Sequence, residues 1–203
     1  MAIQRYRTLI LLFFSAAALL ISSPALQQLL VYPNSDCLTE FWLLGPDHDS
    51  AYPTNVTAEE VTHLYLDISN HLGSCAYYVV EVKFRNLTQS GPDSFNHTGS
   101  SLPSYGSITV IVADNATVEV PLDISFQYHV DSRISTRIHM QSITVNDFEL
   151  PINSTSIDWD ISRGGFYGNL FFELWLYNST TQSLQYHQRY NSLWLKMVPA
   201  LSE

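Results

Sequence analysis

A chain of 203 residues with a 46% hydrophobic share is long enough to bury a sizeable core, so one folded domain plus an appendage is the expectation. Its 19 acidic against 9 basic residues give a formal net charge of −10, which repels phosphate backbones and excludes nucleic-acid binding. Charged residues reach only 14% while aromatics reach 13%, a balance that excludes a disordered acidic tail and suits a β-rich packed domain.

The chain opens with a short basic segment, residues 1–7, in which Arg5 and Arg7 would stay cytoplasmic. Thr8 to Ser23 carries no charge, and apolar character resumes at Leu29, Leu30 and Val31, so residues 8–31 read as a transmembrane signal anchor. Ser23-Pro24-Ala25 offers a small-x-small cleavage site, and a cleaved secretory signal is the competing reading. Either way the region from 36 to 198 is exported, with the C-terminal domain extracellular and the lipid bilayer met only by the N-terminal helix.

From residue 36 onward the pattern has period two, with no amphipathic helical stretch of comparable strength. Thr39, Phe41 and Leu43 line one face of a first strand, and Leu64, Leu66 and Ile68 mark a second. Tyr78, Val80, Val82 and Phe84 mark a third, which places Glu81, Lys83 and Arg85 on its solvent face. The polar stretch from Asn86 to Gly106, rich in Ser, Gly and Pro, reads as a surface insertion. Ile108, Val110 and Val112 predict a fourth strand. Val118, Val120, Leu122, Ile124 and Phe126 predict a long fifth that bends at Pro121, where a ladder donor is missing. Ile134, Thr136, Ile138 and Met140 alternate more weakly. Leu170, Phe172, Leu174 and Leu176 share a face, and Leu193, Leu195 and Met197 share another after a turn spanning Asn178 to Tyr190. The expected fold is all-β: an immunoglobulin-like antiparallel β-sandwich preceded by one membrane helix.

Asn55, Asn86, Asn96, Asn115, Asn153 and Asn178 each begin an Asn-x-Ser/Thr acceptor for N-linked glycans. Chance would supply about two such sites among the eleven asparagines of this chain. All six fall at expected strand ends or turns, where a glycan fits. Cys37 and Cys75, the only cysteines, both lie on the exported side and suggest one disulfide; two unpaired buried thiols are the alternative.

The stretch LTEFWLLGPDHDSAYPTNVTAEE, Leu38 to Glu60, resembles the opening motif of an archaeal membrane-protein family called domain of unknown function 1616, in which T-E-F-aromatic-x-L-G leads to Y-P-x-N-x-T. Ile68-Ser-Asn-His71, Tyr78-Val-Val-Glu-Val-Lys83, Leu170-Phe-Phe-Glu-Leu-Trp-Leu-Tyr177 and Ser192-Leu-Trp-Leu-Lys196 continue the likeness. The resemblance implies an archaeal source and an extracytoplasmic sandwich directly after a membrane helix, and brings no activity with it. The chain departs from that pattern at His48, where a Gly is usual, at Leu72, where an acidic residue is usual, and over Phe126 to Arg163, which reads as an insertion.

No catalytic constellation stands out. The seven histidines show no His-x-x-x-His or Cys/His spacing for zinc. Asp47-His48-Asp49 and Asp158-Trp159-Asp160 offer carboxylates without the spacing of a calcium loop. No Gly-x-Ser-x-Gly elbow is present. Trp175 and Trp194 sit opposite the core faces of adjacent expected strands and form a candidate ligand platform. No metal or cofactor is expected. The leading functional expectation is a non-enzymatic, glycosylated, membrane-anchored cell-surface module for protein contacts or self-assembly. A carbohydrate- or calcium-binding surface module and a pilin-like filament subunit are the alternatives, the last lacking the usual prepilin processing pattern.

Overall fold

The computed structural model describes residues 6–7, 11–15, 17–18, 38–152 and 155–199. The chain divides into two compact units, Met1–Leu38 and Thr39–Glu203. In the first, the described residues are helical, and Leu11, Leu12, Phe13 and Phe14 are all exposed. Among the described residues no helix is long and apolar enough to cross a membrane, and most of the expected 8–31 anchor lies outside them.

The second unit is built of strands in two layers. One layer runs β1 (Leu38–Leu44), β3 (Thr62–His71), β6 (Ala116–Val130) and β7 (Arg137–Val145), with β8 (Phe148–Pro151) on the far side of β7. The other runs β5 (Gly106–Val112), β4 (Ala76–Arg85), β10 (Gly165–Asn178) and β11 (Ser183–Val198), with β2 (Asn55–Thr57) parallel to β11. Strand β9 (Ser156–Asp160) pairs with β7 at one end and with β10 at the other, so the layers join into one curled sheet. The β5-β4-β10-β11 and β1-β3-β6 orders are those of an immunoglobulin-like sandwich, extended by β7 to β9.

The period-two pattern fixes which side chains meet between the layers. Leu64, Leu66 and Ile68 from β3 and Leu122, Ile124 and Phe126 from β6 face Tyr78, Val80, Val82 and Phe84 from β4 and Leu170, Phe172 and Leu174 from β10, and all of these are buried. The Phe84 and Phe126 rings meet across the interior at 6.1 Å between centroids. Tyr128 ties the layers where β2 and β11 end: its hydroxyl lies 2.8 Å from the Val56 carbonyl and 2.7 Å from that of Val198. Burial pushes that phenol up to about 12.

Several expectations are revised or sharpened. The bend expected at Pro121 does not interrupt pairing: the register of β6 with β3 runs through that residue without a shift. The side chain of Asn146 supplies polar partners beside it, donating to the Pro121 carbonyl at 3.0 Å and accepting from the Asp123 amide at 2.8 Å. The irregularity falls between Gln127 and Tyr128, where β7 bulges past Gln141 and inverts the inward phase from Met140 to Ile143. The turn expected over Asn178 to Tyr190 is a short hairpin, with β11 starting at Ser183, because its polar residues alternate on a sheet face rather than forming a loop. The segment Phe126 to Arg163, which departs from the family pattern, is part of the packed layer and buries Ile138, Met140, Ile143 and Ile157. Finally, Asn146 and Asp147, with φ of 47° and 69°, make the tight turn joining β7 to β8, in the way two-residue hairpin loops require.

The opening motif is architectural. A Cβ on Gly45 would lie 2.1 Å from the Ala51 carbonyl oxygen, so only glycine closes this turn. Tyr52 donates to the Leu43 carbonyl at 2.7 Å, and Thr39, Tyr78, Asn70 and His187 form a hydrogen-bonded chain inside the sandwich. His48 adopts φ 57°, a left-handed conformation that costs a side-chain-bearing residue about 1 kcal/mol. Its ring stacks on Tyr65 at 4.0 Å and its Nδ1 sits 2.9 Å from Glu119, contacts a glycine at this position would lack.

Candidate functional site

The largest surprise lies on the outer face of β4 and β10. Alternation sends Glu81, Lys83 and Arg85 of β4 and Asn169, Phe171 and Glu173 of β10 away from the core, and the ladder sets Glu81 opposite Glu173, Lys83 opposite Phe171 and Arg85 opposite Asn169. This face is not solvent-exposed as expected. Residues 86–105, connecting β4 to β5, fold back over it as a strap, so Lys83 is 3% exposed and Phe171, Asn169 and Glu173 are 0% exposed.

Buried charge requires partners, and the strap supplies them. Lys83 Nζ donates to Glu173 Oε2 at 2.7 Å and to the Ser100 carbonyl at 3.1 Å, with Glu81 Oε2 also 3.1 Å away. The Ser100 amide donates to Glu173 Oε1 at 2.5 Å. A Cβ on Gly99 would lie 3.2 Å from Glu173 Oε2, so the strap backbone rests directly on the carboxylate. Burial first, and Glu173 second, push the Tyr186 phenol beside this cluster up to about 12. Farther along the face, Arg85 Nε donates to Asn169 Oδ1 at 2.8 Å and its guanidinium lies over the Trp194 ring at 5.3 Å. Burial holds Arg85 below its usual value.

Trp175 and Trp194 do share this outer face, but the structure does not bring them together. In the β10–β11 register Trp175 lies opposite Tyr186, and Trp194 opposite Asn169, six residues along β10 and therefore about 20 Å away. Trp175 packs edge-on against Tyr186 at 5.7 Å, and Trp194 is taken up by Arg85 and Arg163. The register shift between Leu174 and Trp175, which skips His187 and Gln188 of β11, puts Tyr186 rather than Gln188 opposite Trp175 and leaves no trace in sequence alternation.

The acidic turns expected as calcium donors are otherwise engaged. Asp158 makes a two-pronged pair with Arg137 at 2.6 and 3.2 Å, and Asp160 Oδ1 accepts from the amide and hydroxyl of Ser162. Asp49 accepts from the Ala51 amide. Among the described residues no group of three or more His, Cys, Asp or Glu is arranged to hold a metal.

Of the expected glycan acceptors, Asn55 at the start of β2, Asn96 in the strap and Asn115 between β5 and β6 are exposed. Asn178 ends β10, half-buried. Asn86 is also half-buried and fully engaged: its Oδ1 accepts from Thr88 and Gln89, and its Nδ2 donates to the Ser156 carbonyl at 2.9 Å. Asn153 and Cys37 lie outside the described residues; Cys75, the other half of the expected disulfide, is exposed ahead of β4.

At one side of the sandwich, among the described residues, β5 is hydrogen-bonded to β4 alone. Between this edge and β8 lies a cleft of about 390 Å³ lined by Val82, Ile108, Val145, Phe148 and Leu150. Phe148 on the cleft and Ile111 farther along β5 are largely exposed, and sequence reasoning missed both.

No family model and no curated protein matches the chain. Solved structures to which it is similar include the CARDB domain of the PF1109 protein from Pyrococcus furiosus in complex with di-metal ions, at 9% identity and TM-score 0.36 over 79% of this chain and 88% of that one. The PapD-like domain 7 of human CEP192 matches at 11% identity and TM-score 0.34, over 81% of this chain and 87% of that one. A β-glucosidase from Listeria innocua matches at 9% identity and TM-score 0.35, over 78% of this chain but only 16% of the enzyme. Likenesses this distant add nothing to the strand order, which on its own makes this chain an immunoglobulin-like β-sandwich.

Proposed function

We propose that this chain is a non-enzymatic, N-glycosylated cell-surface protein, held to the membrane by its N-terminal segment, whose β-sandwich serves protein contacts in the envelope or in a surface assembly. The observation that carries this reading is the exposure of Asn55, Asn96 and Asn115 at strand ends and turns. Their side chains make no inward hydrogen bond. Asn96 Nδ2 donates to Asp93 and Asn115 Nδ2 to Asp114, both on the surface, so a transferase can reach them. The exposed apolar residues Leu11 to Phe14 fit an anchor, and the resemblance to the 1616 family fits an archaeal envelope.

Protein contact is favoured over a sugar platform by one feature, the one-sided edge of β5, which exposes Ile111 and has an apolar cleft with the exposed Phe148 at its other end. Trp175 and Trp194, which a sugar site would need as a pair, stand apart.

Intact mass and glycopeptide mapping of the native protein from its membrane fraction test the reading. The expected result is a membrane-bound chain with glycans on Asn55, Asn96 and Asn115, an unoccupied Asn86, and a Cys37–Cys75 disulfide. An unmodified, reduced chain in the soluble fraction would overturn it. For the contact surface, Ile111→Glu with Phe148→Glu is expected to shift the protein from high-mass envelope complexes to monomer on native gels, at unchanged thermal midpoint.

A further inference from the structure

We propose that Lys83 and Glu173 condense into an intramolecular amide bond that joins β4 to β10 beneath the strap. This goes beyond the surface-module reading and does not depend on it.

The geometry holds each group such a reaction needs. The nucleophile and the electrophile are Lys83 Nζ and the Glu173 carboxyl, 2.7 Å apart on adjacent strands whose register is fixed on both sides by β5 and β11. Both are shut off from water, so they meet at the high effective concentration of a preorganised pair. A proton carrier is present in Glu81, whose Oε2 lies 3.1 Å from Nζ, within the range for general acid–base transfer. A donor for the developing oxyanion is present in the Ser100 amide, 2.5 Å from Glu173 Oε1.

The step balances without any further reactant. One ammonium proton passes from Nζ to Glu173 Oε2, leaving a neutral amine and a neutral acid. The amine lone pair attacks Cδ, forming the C–N bond, and the carbonyl electrons move onto Oε1, where the Ser100 amide holds the charge. Glu81 takes a second proton from the nitrogen and returns it to Oε2. The Cδ–Oε2 bond breaks, water leaves, and Glu81 ends as the carboxylate it began as. Its partly exposed side chain gives that water a way out.

The site also favours the product. A buried ammonium and carboxylate keep a desolvation cost even when paired; the amide removes both charges permanently and releases water to bulk. An ion pair that only clamped the strap would need the Ser100 contacts, but it would not need a second carboxylate within reach of the same nitrogen.

The test is the intact mass of the full chain, made in a host that does not glycosylate, solubilised in detergent and reduced, followed by tandem mass spectrometry of its digest. The expected result is a mass short by one water and a branched peptide joining the Lys83 segment to the Glu173 segment. Glu81→Gln keeps the Lys83–Glu173 pair and is expected to stay folded by near-ultraviolet circular dichroism while regaining the full mass. Lys83→Arg, a cation that cannot make this bond, is expected to do the same. A folded wild-type chain of full mass, with trypsin cutting after Lys83, would overturn the proposal and leave an ion pair only. So would a missing water located elsewhere. A bond that forms undiminished in Glu81→Gln would overturn the role given to Glu81.

Discussion

The two outer faces of this sandwich are written in the same code and end in opposite environments. On β3 and β6 the outward residues His63, Tyr65 and Asp67 oppose Asp123, Pro121 and Glu119, and stay exposed or half-exposed. Their pairs, His63 with Asp123 at 2.7 Å and His48 with Glu119 at 2.9 Å, are exposed on both sides. On β4 and β10 the same polar alternation lies under residues 86–105 and becomes a buried charge cluster. The difference teaches that alternation assigns a side chain to a face, while burial depends on what crosses that face afterwards. An ion pair's energetic weight follows burial: exposed pairs are screened by water, and buried ones cannot lose a partner without leaving a charge stranded.

The sharpest way to break this comparison is Glu173→Ala, which strands Lys83 and should cost about 3–5 kcal/mol, read from denaturant unfolding. Lys83→Met with Glu173→Leu should recover most of that loss, because no buried charge is then left without a partner. Next on the covered face, Asn169→Ala removes the acceptor of Arg85 Nε and should cost about 1–3 kcal/mol by the same measurement.

The open face should respond to pH instead. Asp67 is raised above 3.8, by burial first and by Glu119 second, with His48 partly opposing. The folded state therefore holds this proton more tightly than the unfolded chain. Its contribution is fully present below 3.8 and is lost as pH rises through the raised value. Asp67→Asn should flatten that part of the stability profile and leave the variant slightly more stable at neutral pH, in thermal scans across acid and neutral buffers. Asp131 carries the opposite sign: the His139 hydrogen bond holds it below 3.8, so its contribution is present above that value and fades as pH falls through the depressed one. The smallest effect belongs to Arg137→Ala, which breaks an exposed pair with Asp158 and should leave the denaturant midpoint nearly unchanged, the difference shrinking further in salt.

Much of the sandwich was legible because its strands obey period two without interruption. Thr39, Phe41 and Leu43, Leu64 to Ile68, Tyr78 to Phe84 and Leu193 to Met197 all turn inward as their spacing predicts. Legibility failed where the period slips. The bulge near Gln127 shifts the phase of β7, since one extra residue reverses every later side chain, and the shift at Trp175 skips two residues of β11 and so changes which residue faces that ring.

The amino-acid sequence by itself determined the class of this protein: strands with one apolar face each, a glycine turn after the first strand, acceptor asparagines at strand ends, and an acidic charge balance. These are local properties, written in spacing of a few residues and in side-chain type. Only the tertiary structure decided that Lys83, Glu81, Glu173 and Ser100 would meet. Lys83 and Glu173 are 90 positions apart in the chain, and their contact exists because β10 crosses the core to pair with β4 and a polar connection folds back over both.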